Sequence, residues 1–406
     1  MEERISMERA IELIRRTARC TAVETVPVTR AHGRVLAEAV LAPLDQPPFP
    51  RSPLDGYAFH AADVAGASRE KPARLRVVET VYAGGWTERE LQRGEAVCLM
   101  TGAPIPAGCD CVIRREDTDN GRDWVSIYQE LKPWSNYCFA GEDFQAGAEL
   151  LPAGTQLNAV ALGVLAAAGL EREDVHVSVR RTLRCAVFCT GDELVSNAVR
   201  PLPPGKIYSA NETVLRARLT ELGMALLDST GLCPDEPELL AQRIREAAET
   251  ADVIFTTGSV SAGDKDILHE TLPLLGAERI FRGLRMKPGS PMMLSVYHGV
   301  PILSLSGNPF AAYANFELFG RQLLSALCGT EELLPQVFAA ALATDFPKAS
   351  KGRRFVRGCF RDGRVTLPEG HSSGQLSSAA CINCLVDIPA GSGPLTAGDT
   401  VMVHLL

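Results

Sequence analysis

The residues TTGSVSAGDKDI, positions 256–267, follow the apolar run 251–255 and precede a helix-like run. They therefore read as a strand, a glycine-punctuated turn and a helix start. Loops leaving the carboxyl ends of parallel strands form the ligand crevice of an open α/β sheet, and the N–H groups of a helix start attract anions. A phosphate-bearing ligand is the first expectation. Gly258 and Gly263 have the glycine spacing of an ATP-binding P-loop, but Asp264 stands where its lysine is required, which argues against an ordinary P-loop NTPase. Two further strand ends carry comparable loops, Thr190-Gly191-Asp192-Glu193 and Ser306-Gly307-Asn308-Pro309. In a parallel sheet all three lie along one edge. Glycines there permit close backbone approach, and Ser259, Ser261 and Asn308 offer hydrogen bonds to a heterocycle or a phosphate.

Acidic residues beside an anionic ligand need a reason. Glu193, Asp264 and Asp266 supply oxygen donors for Mg²⁺, which binds through carboxylates, waters and phosphate oxygens. The competing reading has Asp192 and Asp266 as helix caps. Arg285 and Lys287, in LRMKPGSP, place cations on a segment stiffened by Pro288, Gly289 and Pro291. A lysine so held acts as a point charge on an oxyanion, or else remains a solvated surface charge. SPLDGYA, residues 52–58, and MTGAPIPAGCDCVIRRED, residues 100–117, add Asp55 and Thr101, which taken alone read more simply as a turn former and a strand-end hydroxyl.

The elements that must position these residues fall into four regions, so the fold class expected is multidomain α/β. Over residues 179–328, strand-like runs at LRCAVFCTG, ALLDSTGL, ADVIFTTG and PILSLSGNP alternate with helical runs at NETVLRARLTELG, EPELLAQRIREAAETA and FAAYANFELFGRQLLSALCG. That alternation predicts a parallel α/β domain. Residues 44–143 open on a Pro-rich turn and continue as short β-like runs, a β-rich lobe. Residues 1–43 and 144–178 combine helical and extended patterns and are assigned to one discontinuous, elongated connector. Residues 329–406 read as short strands with Gly and Pro turns, a small β-barrel.

Composition bounds the function. The net charge of −8 argues against broad nucleic-acid binding, which needs a basic surface. No uncharged apolar run is long enough to span a bilayer, and the start, MEERISMERAIELIRR, lacks a signal-peptide core, so a cytoplasmic location is expected. The 12 cysteines are dispersed, which predicts reduced, mostly buried thiols. Cys381 and Cys384 form a C-x-x-C pair, but no second pair or nearby histidine pair completes a metal site.

Taken in order, SPLDGYA, MTGAPIPAG, GEDF, TGDEL, GKIYSAN, TTGSVSAGDKD, MKPGSP, SGNP and HSSGQLSS resemble the molybdopterin molybdenumtransferase (MoeA, gephyrin E-domain) family from about residue 5 to the end of the chain. The resemblance implies Mg²⁺-assisted insertion of molybdate into adenylyl-molybdopterin with release of AMP. It also implies a homodimer whose cleft lies between the α/β domain of one subunit and the lobe of the other. Carried over by motif, Asp55, Thr101 and Asp143 belong to the facing wall, Glu193, Asp235 and Asp266 to the acidic set, and Lys287 to substrate charge. Gly258, Ser259, Ser261, Gly263, Gly307, Asn308 and Pro309 line the cofactor loops, with Arg357 and Ser373 near the molybdate. Transient contact with other molybdenum-cofactor proteins is a further partner class.

The chain departs from the family pattern at several positions. A glycine usual at Ser259 is replaced, L-P-G-N-P reads Leu305-Ser306-Gly307-Asn308-Pro309, and the second lysine of K-P-G-K-P is Ser290. The usually basic stretch before GEDF reads Cys138-Phe139-Ala140, and the usual Asp-Ser/Thr-Asn reads Ser209-Ala210-Asn211. These changes keep open an alternative, a catalytically weak paralogue that carries or scaffolds molybdopterin.

Overall fold

The computed structural model describes residues 1–228, 231–260, 267–369 and 372–406. Its centre is an eight-stranded sheet. Strands Val300–Leu305, Val253–Thr257 and Arg184–Thr190 run parallel side by side, with Ala225–Leu226 and Gly231–Cys233 parallel on the outer side of Arg184–Thr190. Both faces of these strands are covered. Cys185, Val187, Cys189, Val253, Phe255, Leu303 and Leu305 enter one core, while Ala186, Phe188, Ile254 and Ile302 enter the other. This is why the strands are apolar at almost every position.

The other half of the sheet corrects the expectation of a parallel sheet. Met293–Tyr297 is antiparallel to both its neighbours, Glu278–Leu284 and Val300–Leu305. The cause is local: Tyr297 pairs with Val300 across a two-residue turn in which His298 and Gly299 have φ of 47° and 84°. Two successive positive φ values make the tight hairpin turn that suits strand twist. A mixed sheet results.

The assignment of residues 1–43 as one connector block also needs correction. Glu2–Ile5 pairs parallel with the edge strand Glu278–Leu284. Helix Met7–Thr17, capped by the Ser6 side chain, then packs with the α/β unit through buried Met7, Ala10, Leu13 and Ile14. Burying a side chain the size of Met, Leu or Ile is worth roughly 1.5–3 kcal/mol, which outweighs any preference for the neighbouring connector. Beyond this helix Val23–Pro27 pairs with His176–Arg180 and Val40–Leu41 with Glu149–Leu151, around Val28, Leu36, Leu157 and Leu165.

The lobe is a five-stranded sheet in the order Cys111–Arg114, Gly56–Phe59, Glu95–Leu99, Ala73–Val81, Trp124–Ile127. The C-terminal region closes on itself: Arg353–Arg361, Arg364–Thr366, Val337–Leu342, Thr400–Leu405 and Cys384–Ile388 pair in sequence, and the last returns to the first. Met286–Lys287 adds to Arg353–Arg361 and so ties the MKPGSP segment to this barrel. No helix among the described residues is long and apolar enough to cross a membrane.

Candidate active site

The three glycine-bearing loops meet in one cleft of about 500 Å³ at the carboxyl ends of Arg184–Thr190, Val253–Thr257 and Val300–Leu305. That volume suits a ligand larger than a simple ion. Gly191, Glu193, Asp235, Gly258, Ser259, Gly307, Asn308 and Pro309 all line it. Ser261, Gly263, Asp264 and Asp266 lie outside the described residues. Among the described residues, no group of three or more His, Cys, Asp or Glu side chains converges as a metal cluster.

The walls are held by sequence-distant bonds. Gly258 has φ +91°, and a Cβ there would come within 2.3 Å of the Thr190 carbonyl oxygen, so only glycine fits. Ser259 also has positive φ, 49°. Its hydroxyl lies 3.0 Å from Thr190 Oγ1 and donates to Asp235 Oδ1 at 3.0 Å. Asp235 and Asp192 then bind each other reciprocally: the Asp192 N–H donates to Asp235 Oδ2 at 3.3 Å and the Asp235 N–H to Asp192 Oδ1 at 3.2 Å. Asp235, the residue least marked by its sequence surroundings, is thus fixed at the cleft from two loops. Glu193 remains exposed, its carboxylate folded against Gly191.

In the lobe, Asp55 and Thr101 form a pair. Asp55 Oδ1 accepts from the Thr101 backbone N–H at 2.7 Å and from its hydroxyl at 2.8 Å. These bonds, the backbone one first, hold the Asp55 carboxyl below its usual pKa. The following Gly56 is required because a Cβ would sit 1.9 Å from the Ile113 carbonyl oxygen. Asp143 is exposed, its N–H bound to the Gln46 carbonyl. Among the described residues, none from 44–143 lines the cleft, so one chain does not bring Asp55, Thr101 or Asp143 to it.

Lys287 is exposed and pairs in register with Arg354, while Pro291 of the same segment reaches the cleft wall. Ser290, at the position of the family's second lysine, donates its hydroxyl to the Leu284 carbonyl at 2.7 Å and so serves the local backbone. Arg357 is fully buried. Its guanidinium lies 3.5 Å over the Phe310 ring and donates to the carbonyls of Ser372 and Gln375. Burial lowers its pKa. Ser373 accepts from the Phe310 N–H at 3.1 Å. Arg357 therefore clamps the 372–375 loop onto the helix Pro309–Asn315 that follows Asn308, and neither it nor Ser373 lines the cleft. Of the C-x-x-C pair, Cys381 is exposed and Cys384 buried, its thiol pushed up to about 11 by burial.

Three family models cover most of the chain: "MoeA N-terminal region (domain I and II)" matches residues 5–169, "Probable molybdopterin binding domain" 186–326, and "MoeA C-terminal region (domain IV)" 339–406. The chain belongs to the MoeA family. It is 34% identical over 389 residues to the molybdopterin molybdenumtransferase of Staphylococcus aureus strain COL, covering 94% of this chain and 90% of that protein. The corresponding Bacillus subtilis strain 168 protein is 35% identical over 391 residues, with the same coverage. The MoeA crystal structure from Pyrococcus horikoshii OT3 superposes with a TM-score of 0.85 at 27% identity, over 99% of this chain and 100% of that one.

Within this MoeA fold the structure adds one cleft residue, Asn211, and a lysine next to the cleft-lining Ile207, Lys206, whose roles sequence reasoning did not assign. Asn211 donates its side-chain N–H to the Gly307 carbonyl at 2.8 Å, joining the start of helix Ala210–Glu221 to the SGNP loop. Lys206 donates to the Asp192 carbonyl at 2.6 Å. Both belong to GKIYSAN, a motif visible in the sequence whose individual side-chain roles were not legible there.

Proposed function

We propose that this MoeA-family chain is a molybdopterin molybdotransferase of molybdenum-cofactor biosynthesis, inserting molybdate into adenylyl-molybdopterin with release of AMP, with Mg²⁺ and as a homodimer. The observation that carries this reading is the strand-end cleft, where glycine backbone, hydroxyls and carboxylates converge from three loops. Glycine at 191, 258 and 307 admits a pterin or phosphate close to the main chain. Ser259 orients the Asp235 carboxylate through its hydroxyl, and Lys287 adds a cation on a strand shared with the barrel. Catalysis of this kind is positioning and charge stabilisation, with no covalent nucleophile.

The donor chemistry fits the cation. Glu193 and Asp235 present hard carboxylate oxygens at the cleft, and Asp264 and Asp266 are proposed to complete the set. When bound, Mg²⁺ supplies neutralisation of pyrophosphate charge. Because the lobe of one chain contributes nothing described to its own cleft, a second copy would present Asp55, Thr101 and Asp143 from the facing side. The carrier or scaffold alternative is not favoured, since the relatives that match over most of the chain carry the name molybdopterin molybdenumtransferase.

The test is AMP release by purified protein given adenylyl-molybdopterin, Mg²⁺ and molybdate, with tungstate in parallel. Molybdate-dependent AMP formation that disappears in Asp55→Ala, with the fold retained, is expected. Tight ligand binding with no AMP from the wild type would refute transfer in favour of a carrier.

A further inference from the structure

The lobe contains a second cavity, of about 560 Å³, that the proposed reaction leaves unused. Its floor is one row across the five-stranded sheet: Tyr57 pairs in register with Cys98, and Cys98 with Thr80. Arg115 reaches over this row, its Nη2 lying 3.1 Å from Cys98 Sγ and 3.8 Å from Met100 Sδ. Sulfur is a weak acceptor, and Arg115 Nε is buried with no hydrogen-bond partner. Arg122, on the cavity rim, is exposed. Neither arginine forms an ion pair among the described residues, although both line a mainly polar hollow. Of the nearby acids, Asp119 accepts from the Gly121 and Ser126 N–H groups, and Asp55, which accepts from Thr101, acts on Arg115 through space without an ion pair. A guanidinium whose side-chain acceptors are sulfurs keeps hydrogen-bonding capacity unused, and its planar fork matches the oxygens of a phosphate-like anion.

The cavity is linked through the backbone to the acid–hydroxyl pair, although neither Asp55 nor Thr101 lines it. Met100 precedes Thr101, and the Arg115 N–H donates to the Asp55 carbonyl at 3.0 Å. We propose that this cavity binds a tetrahedral oxyanion between Arg115 and Arg122; resting on the function proposed above, that anion is molybdate, held ahead of insertion in the lobe that carries Asp55 and Thr101. The site raises the local oxyanion concentration on a protein whose net charge of −8 otherwise disfavours anions.

The experiment is equilibrium dialysis of the full-length protein against molybdate, sulfate and phosphate separately. It compares wild type, Arg122→Gln, the double variant Arg115→Gln/Arg122→Gln, and Lys287→Gln as a control for the main cleft. Arg122 is exposed, so its single variant tests the site even if loss of Arg115 disturbs the lobe. Each lost charge-assisted contact is expected to weaken one molybdate-binding component about tenfold or more, while Lys287→Gln leaves that component intact. In turnover, the KM for molybdate rises in the arginine variants and kcat at saturation is kept. Isotherms unchanged in both arginine variants overturn the proposal. An arginine-dependent component filled by sulfate or phosphate but not by molybdate overturns the molybdate assignment. Arginine-dependent molybdate binding in a wild type that never releases AMP supports this site and refutes the transferase reading instead.

Discussion

Replacing Gly258 with Ala tests whether the cleft wall is set by backbone contact. The added methyl would lie 2.3 Å from the Thr190 carbonyl oxygen and 2.7 Å from Thr190 Oγ1, at a residue with φ +91°. Thr190 cannot retreat easily, because its strand is paired on both sides, Thr190 with Cys233 and Cys189 with Thr257. The left-handed backbone costs about 1–3 kcal/mol. Overpacking adds about 1–3 kcal/mol. Together these amount to about 2–6 kcal/mol, which for a unit of 150–250 residues lowers the thermal midpoint by roughly 4–24 °C. Relaxation that displaces Thr190 Oγ1 also breaks its contact with Ser259 and so loosens Asp235. A shift on the order of 1 Å in such a wall reduces turnover about a hundredfold. Calorimetry and AMP release read the two effects. Gly163→Ala is the control: this residue is exposed in the helix Ala159–Ala167, with nothing within 4 Å of an added Cβ, and the change should stabilise by about 0.5–1 kcal/mol. A Gly258→Ala protein with wild-type midpoint and wild-type AMP release would show that the close approach of the two loops does not shape the site.

Buried and paired charges give two more expected outcomes. Glu317 is fully buried between Arg218, at 2.7 Å, and Arg321, at 3.1 Å, so Glu317→Gln is expected to destabilise by about 3–5 kcal/mol in urea unfolding. A loss below about 1 kcal/mol would contradict the assignment of that carboxylate as the group balancing both guanidiniums. Asp55 has a folded pKa below its unfolded value, so the unfolded chain binds more protons in that acidic window. Its contribution to stability is present above the unfolded carboxyl range and is lost as pH falls through the folded pKa. Thr101→Val removes one of the two donors, and the Asp55 carboxyl titration followed by NMR should move upward; an unchanged titration would show that the hydroxyl bond is not formed in solution.

Much of the arrangement was legible because it is local. Runs such as RCAVFCT and VIFTT are mostly apolar and buried at all but one position since both faces are covered, and the glycines at 258 and 307 mark strand ends where backbone approaches backbone. The order of motifs identified the family, and the three strand-end loops do share one cleft. Tertiary structure alone decided the rest. Periodicity names a strand without naming its partner, so it did not show that Glu2–Ile5 joins the large sheet or that Met293–Tyr297 runs antiparallel within it. Residue type also leaves a side chain's task open. Arg357 reads as an anion ligand until the ring of Phe310 and two carbonyls are seen to hold it, and Ser290 reads as a missing cation until it meets Leu284. The Thr190, Ser259 and Asp235 contacts link residues as many as 69 positions apart. Such bonds depend on where the packed core sets each loop, and no local pattern in the chain records that placement.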